Sequence, residues 1–371
     1  MRVLQILNDG ERGGVEVLSR MIEAGLSPHA FAFETSYLYP RPGLPIFTKL
    51  GCVMHTARRI WRGDFDALIG YQASASILVG VVGWFAGCRL RIVHQTCMPK
   101  ETALLLRWLD RLAGSLGFYS INIVNSAATA AEFEHYPAAY RRSMVLIEHG
   151  VDAPTPMHMR EEARRRFNLP AAEPILLNVG RLCAQKNQEL LIRVVACLPQ
   201  SHLVLAGGGA KEMSLRTLAA TLGVTDRVHI LGPLPQADIA DLYIAADLFV
   251  FPSLWETFGF AVVEAAMVGA PMVAADLPVL REVLHVDGEE PVAYVAPHDT
   301  EGWIGAVRAA LAAPPLPRIA ATYARAMRRK YSRQRMIDGY LRLFGRRLRS
   351  RRNGPDEPHR SRLPAAAEEI Q

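Results

Sequence analysis

The chain of 371 residues is predicted to be an α/β protein of two Rossmann-like, doubly wound parallel-sheet domains. Three observations predict it. Short runs rich in Val, Ile and Leu alternate with amphipathic stretches, the pattern of parallel strands covered on both faces by helices. The alternation passes through six strands and restarts near residue 170 with six more. Between the two sets lies HGVDAPTPMHMR, which holds two prolines and no periodicity and therefore reads as the connection between domains.

Taken in order, the apolar runs predict strands at 2–7, 30–35, 67–69, 90–94, 121–125 and 145–147, then at 175–179, 202–206, 228–231, 248–250, 271–274 and 293–295. Helices fill the intervals. The first domain is expected over 1–155 and the second over 156–318. After Pro317, Tyr323, Met327, Tyr331, Met336, Tyr340 and Phe344 recur at about a helical turn, which predicts one long helix. Residues 353–371 are polar and aperiodic and are expected to be disordered.

The formal charge of +6 would by itself suggest a polyanionic partner, but its distribution argues otherwise. Twelve Lys and Arg lie between Arg325 and Arg352 with Asp338 as the one acid, whereas the first 324 residues carry 28 basic and 31 acidic groups. No aromatic platform accompanies the basic run, so nucleic acid is not expected. Cysteines at 52, 88, 97, 183 and 197 form no C-x-x-C pair, which points to reduced thiols rather than a disulfide framework or a zinc knuckle. The chain opens directly on a strand without a leader pattern, and its longest nearly uncharged run, Ala67–Cys88, is broken by glycines. A cytoplasmic protein with no membrane span is expected.

Chemistry concentrates in the second half. In SLWETFGFAVVEAAMVGAP, Glu256 and Glu264 are eight apart. A helix starting near Gly259 would hold Glu264 in its first turns and leave Glu256 in the loop before it. Backbone N–H groups of Thr257, Phe258 and Gly259 would then lie at the positive end of that helix, a site for anionic groups. Upstream, the strand 175–179 runs into Gly180 and Arg181, then Lys186 and a helix near Gln188. Arg181 and Lys186 project from one loop at the carboxyl end of a strand, where open α/β sheets bind ligands. Gly207, after the strand 202–206, makes another such turn.

These motifs, NVGRLCAQKN, LAGGGA, ADLFVFPSLWETFGFAVVEAAMVGAPMVAADLPVLREVL and VAYVAPHD, resemble the ordered motifs of family 4 of the retaining, nucleotide-sugar-dependent glycosyltransferases, which have the GT-B fold. RGGVE, VHQT, NSAATAAEF and HGVD extend the resemblance from residue 1 to about 345. It implies that Arg181 and Lys186 hold the diphosphate, that Glu264 holds the ribose, and that Glu256 lies beside the donor sugar. It implies further that Thr257 to Gly259 complete the cradle, and that Gly207 and Leu231 meet the base through backbone. From the first half, Gly13 and Gly14 match the loop near the phosphates and acceptor, and Glu16 supports that loop. His94 matches a histidine near the reacting centre, with a buried structural imidazole as its alternative. His149, where the family more often has Asn, reads as structural.

The implied reaction moves a sugar to a glycan or lipid-linked hydroxyl with retained configuration, in cell-envelope or exopolysaccharide synthesis, and needs neither cofactor nor obligatory metal. The basic helix has two readings: its Tyr and Met stripe packs and its arginines form a solvated face, or Arg342 to Arg352 meets anionic lipid at the inner face of the membrane. Two departures stand out: LAGGGA replaces the commoner Gly-Asp-Gly, and 37–50, with prolines 40, 42 and 45, lies where such enzymes select acceptors. Three rival readings are weaker. Asp64-Phe65-Asp66 spells a metal-binding D-x-D but sits before a first-half strand, far from the diphosphate motifs. Glu34 lies where a nicotinamide dehydrogenase keeps its ribose acid, yet Gly10, Gly13 and Gly14 do not make G-x-G-x-x-G. A non-catalytic sugar-nucleotide binder is the third, and Glu256, Lys186 and Arg181 argue against it.

Overall fold

The computed structural model describes residues 1–350 except 11, 12, 42 and 289, and no side chain beyond residue 345. The tail 353–371 and the basic residues after 345 lie outside the described side chains.

Among the described residues, twelve strands form two six-stranded parallel sheets. The first holds β1 (Arg2–Leu7), β2 (Ala32–Tyr37), β3 (Ala67–Tyr71), β4 (Leu90–His94), β5 (Ile121–Val124) and β6 (Met144–Leu146). The second holds β7 (Ile175–Val179), β8 (His202–Ala206), β9 (Val228–Gly232), β10 (Leu248–Phe251), β11 (Met272–Ala275) and β12 (Val292–Val295). Each matches a predicted run with shifts at the ends. β2 starts two residues late because Ala30 takes φ 65° to close a short 3-10 turn. β11 starts after Pro271, which has no N–H to give the ladder.

Helices of the first half are α1 (Gly14–Leu26), α2 (Ile46–Arg62), α3 (Ala73–Phe85), α4 (Leu104–Ser115), α5 (Ala127–Ala131) and α6 (Ala138–Arg141). Those of the second are α7 (Arg160–Arg166), α8 (Gln188–Ala196), α9 (Glu212–Thr221), α10 (Gln236–Ala245), α11 (Phe260–Val268), α12 (Pro278–Leu284) and α13 (Thr300–Ala312). The stretch after Pro317 is two helices, α14 (Pro317–Lys330) and α15 (Arg333–Ser350), and not one. The reason is tertiary. At the break the Tyr331 carbonyl accepts the Val151 N–H at 2.8 Å and Ser332 bridges Val151. The two passages of the chain between the sheets therefore run side by side.

The sheets have different strand orders. The second runs β9-β8-β7-β10-β11-β12, the dinucleotide-binding order with its switch between β7 and β10. The first runs β2-β1-β3-β4-β5-β6, the flavodoxin-like order with its switch between β1 and β3. One apolar cluster fills the second half. In the first half there are two: α1 and α15 cover one face of the sheet through Leu18, Ile22, Ile337 and Phe344, while α2, α3 and α4 cover the other through Ile60, Val79 and Ala113. α1 and α15 lie so close that a Cβ on Gly25 would stand 2.3 Å from Ile337.

Part of the basic run has structural work. Arg328 Nε donates to the Met267 carbonyl at 2.7 Å, Lys330 Nζ to those of Glu282 and His285, both at 2.9 Å, and Arg333 faces Asp152 at 3.5 Å.

Candidate active site

The second sheet's switch point gathers the predicted charges. β7 ends at Gly180, whose φ of +155° turns the chain into the loop carrying Arg181 and Lys186. Arg181 is exposed, and its carbonyl accepts from Gln188 Nε2 at 2.9 Å. Asn178, buried in β7, donates to the Val250 carbonyl at 2.8 Å. Gln185 then exchanges bonds with the loop after β10: its Nε2 donates to the Trp255 carbonyl at 2.9 Å, and its carbonyl accepts the Leu254 N–H at 2.8 Å. With both loops tied together, Lys186 forms a direct ion pair with Glu256, and the two side chains are only 14% and 7% exposed. Lys186 also lies 4.6 Å over the Phe251 ring, a cation–π contact.

Glycine at 207 is forced by packing. A Cβ there would meet the Gly180 carbonyl oxygen at 2.0 Å, and φ is +145°. Its N–H donates to the Gly232 carbonyl at 2.8 Å. The ladder register slips beside it, from Leu205 opposite Ile230 to Ala206 opposite Gly232. Leu231 is the extra residue of this bulge on an edge strand, and its backbone has no β8 partner.

α11 starts at Gly259, with φ 89° and no side-chain cap, leaving first-turn N–H groups for a ligand. Glu264, one turn in, accepts from Gln236 Nε2 and from the Tyr243 hydroxyl, each at 2.8 Å. Burial raises its pKa against those two bonds. The residues before α11 are anchored to the first half. The Thr257 carbonyl accepts from Thr129 Oγ1 at 3.1 Å and Ser126 Oγ at 3.4 Å. Phe258 is buried among His149, Phe260 and Tyr331, at ring separations of 5.0–5.3 Å. Phe260 in turn meets Gly14, where a Cβ would stand 2.7 Å from its ring. Gly14 thus brings α1 against the start of α11, and the carboxyl edges of the two sheets face one another.

On the first-half side, His94 ends β4. Its ring stacks on Tyr71 at 4.6 Å, its Nε2 meets the Tyr340 hydroxyl at 3.2 Å, and burial, then nearby His149, holds its pKa well below the ordinary value. His149 Nε2 lies 3.0 Å from Asn125, and burial pushes its pKa down to about 3. Both imidazoles are therefore neutral at pH 7. Glu16 pairs with Arg20 at 2.7 Å within α1. Beyond β4, Asp110 is buried and accepts from the Tyr140 and Tyr119 hydroxyls at 2.6 and 2.9 Å. Thr96 Oγ1, buried nearby, has no partner among the described residues.

Both decoys fall elsewhere. Asp66 accepts the Arg2 N–H at 2.9 Å at the amino edge of the first sheet, the edge away from the cleft. Glu34 pairs with Arg2 and Arg59, each at 3.0 Å, and those bonds lower its pKa. The sequence reading missed Asn178, Gln185, Gln236 and Tyr243, which hold the charged residues. Asn178 and Gln185 flank Gly180 and Lys186 and could have been suspected. Gln236 and Tyr243 are 28 and 21 residues from Glu264, and no local signal marks them.

Two facing doubly wound domains define the GT-B fold, and its second switch point carries an ion pair and an uncapped helix start. Comparison with known proteins names the family. Residues 159–327 match the profile described as glycosyl transferases group 1. A D-inositol 3-phosphate glycosyltransferase of Thermobispora bispora is 34% identical over 356 residues, covering 77% of this chain and 81% of that protein. One from Streptomyces avermitilis is 31% identical, and the match spans 66% of this chain and 60% of the relative's own length. The chain belongs to the group 1 glycosyltransferases. Among solved structures, sucrose-phosphate synthase from Thermosynechococcus elongatus superposes with a TM-score of 0.79 at 21% identity, covering 94% of this chain and 99% of that one. Anabaena HepE in complex with UDP-glucose gives 0.78 at 19% identity, covering 93% and 100%.

Proposed function

We propose that the chain transfers a hexose or similar sugar from a nucleoside-diphosphate sugar to a hydroxyl of a glycan or lipid-linked acceptor, with retained configuration and no obligatory metal, in building a cell-envelope or extracellular polysaccharide. The observation that carries this reading is the contact of Lys186 with Glu256 across the switch point, beside the uncapped start of α11.

An ammonium has three donors, so while one holds Glu256 the others can reach phosphate oxygens. Lys186 and Arg181 then neutralise the charge that grows on the departing diphosphate. The first-turn N–H groups of α11, with Thr257, Phe258 and Gly259, add partial positive charge at the same place. Glu264, fixed by Tyr243 and Gln236, accepts from the ribose hydroxyls. Leu231 and Gly207 offer backbone groups to the base, which leaves the base uncommitted. Glu256 faces the donor sugar and the positive charge that develops at its anomeric carbon. His94, neutral and braced by Tyr340, contributes from the acceptor side with Gly14, and closure of the cleft excludes water.

The relatives named D-inositol 3-phosphate glycosyltransferase support sugar transfer, and the UDP-glucose in HepE makes UDP-sugars the first donors to try. Thermal denaturation with UDP-, GDP- and ADP-sugars tests the reading, because a ligand at 100 times its dissociation constant stabilises by about 2.7 kcal/mol. One donor should raise the melting temperature and be consumed when acceptor is added. A shift with nicotinamide nucleotides alone would overturn the assignment, and donor binding without turnover on any acceptor would leave a binding protein.

A further inference from the structure

A surface of the first half carries large apolar side chains that remain mostly exposed to solvent. α2 is seventeen residues long, yet only Thr56 and Ile60 are buried. Phe47, Leu50, Met54 and Trp61 form a second apolar stripe along it at helical spacing, and all four stand exposed, Phe47 by 85%. α4 repeats the arrangement with Leu104, Leu105, Trp108 and Leu112, of which Leu104 is 74% and Trp108 60% exposed. α3 packs between these helices and ends on exposed Trp84 and Phe85. Single exposed apolar residues are ordinary, but large ones on three neighbouring helices mark an interaction surface.

The charge carried by these three helices is predominantly basic. α2 contains no acid and carries Lys49, Arg58, Arg59 and Arg62, and α3 has no charged residue. Arg59 is paired with Glu34. The one acid of α4 is Asp110, which is bonded inward to Tyr119 and Tyr140, so α4 adds Arg107 and Arg111. In the turn before α4, Glu101 is an exposed acid beside Lys100. Position matters as much. In a parallel sheet the helices begin where strands end, so Phe47 and Leu104 lie at the carboxyl edge and border the mouth of the cleft.

We propose that this face of α2, α3 and α4 docks on an anionic lipid bilayer, with the apolar stripes among the headgroups and the arginines over lipid phosphates. No described helix is long and apolar enough to cross a membrane, so attachment lies in the interfacial plane. A second copy of the chain fits less well, because a symmetric contact would set Arg58, Arg62 and Arg111 against their like. The basic α15 packs on the opposite face of the sheet, with α1, and is not the principal contact. The purpose of docking, presenting the cleft to a lipid-borne acceptor, rests on the proposed transfer; the binding does not.

Flotation of the full chain with vesicles of phosphatidylcholine alone, or with phosphatidylglycerol as the minority lipid, tests it. Binding should require the anionic lipid and weaken with salt. Phe47→Ser with Trp108→Ser should lower it by about tenfold or more without changing the melting temperature or the donor-induced shift. Arg58→Glu with Arg111→Glu should flatten the salt dependence, and truncation after Phe344 should leave binding intact. Absence of binding by the wild-type chain, wild-type binding by the serine variant, or loss on truncation alone would overturn the proposal. So would light scattering that shows the serine changes splitting a dimer. Vesicle binding by a chain that no sugar nucleotide stabilises would sink the transferase reading and leave the membrane surface standing.

Discussion

The two halves are built on similar sheets but equip their carboxyl edges differently. In the second, the edge is backbone against backbone: Gly207 lies on Gly180, donates to Gly232, and leaves Leu231 unpaired. Charges stand on that platform, joined by short amides. In the first, the edge consists of side chains drawn from distant segments. His94 meets Tyr340 from 246 residues away, and Asp110 meets Tyr140 from 30. Under the proposed function the second edge holds a diphosphate and a ribose, fixed shapes for which backbone N–H groups, glycines and a few charges at set intervals suffice. An acceptor side recognises through side chains, whose placement depends on the whole packing.

The sharpest test of this contrast is the ion pair. Lys186→Ala or Glu256→Ala strands one buried charge, which should destabilise the fold by about 3 kcal/mol or more and lower transfer by about a thousandfold or more. Calorimetry and initial rates check both, with far-UV circular dichroism expected to keep the α/β signature. Near-normal turnover in either variant would remove the pair from the site.

Gly207→Ala forces a methyl into the Gly180 carbonyl at a strained φ. A loss of about 3 kcal/mol together with the donor-induced thermal shift is expected. Retention of both would show that the platform has slack.

Asp110→Asn offers an amide N–H where a tyrosine hydroxyl donates, at a cost of about 1–3 kcal/mol. Donor binding should survive, because the change lies in the other half. Its loss, read by titration calorimetry, would mean that the two edges are coupled.

The smallest effect is expected from Tyr243→Phe, which takes one bond from Glu264 and should raise the donor KM about fivefold, the equivalent of about 1 kcal/mol. Its pH dependence is more telling. Burial raises the Glu264 pKa, so donor affinity should fall as pH drops through that raised value. Without the Tyr243 hydroxyl, which favours the charged form, the midpoint should move higher. Stability runs the opposite way: what this group contributes is fully present below its unfolded pKa and is lost as pH rises through the folded one. A KM profile in Tyr243→Phe that overlays the wild type would separate Tyr243 from donor binding.

Much of the fold was legible because strands and glycine turns have local causes. Buried parallel strands need continuous apolar runs, as β3, β4, β5, β10 and β11 show, while the edge strand β2, AFETSY, is exposed or half-buried throughout. Gly180, Gly207 and Gly259 stood out because a left-handed turn or a close approach excludes a side chain. The helix after Pro317 was misread as continuous because its periodicity does run on through Tyr331. What breaks it is a hydrogen bond from Val151, and nothing near residue 331 encodes that partner. Gln236 and Tyr243 went unseen for the same reason, as did the outer stripe of α2, since a helical apolar period does not say which of two stripes meets the core.

The sequence alone determined the class of fold, and it marked the charged and glycine residues now seen along the carboxyl edge of the second sheet, since these follow from short-range periodicity and backbone sterics. It also settled that the +6 is concentrated near the C-terminus. Only the tertiary structure decided that the sheets differ in strand order, that Lys186 bonds Glu256, that part of the basic run is tied inward through Arg328 and Lys330, and that α2 and α4 leave an apolar face uncovered. Each of these depends on which surfaces meet after distant segments pack, and that free energy is summed over the whole molecule and carried by no single stretch of chain.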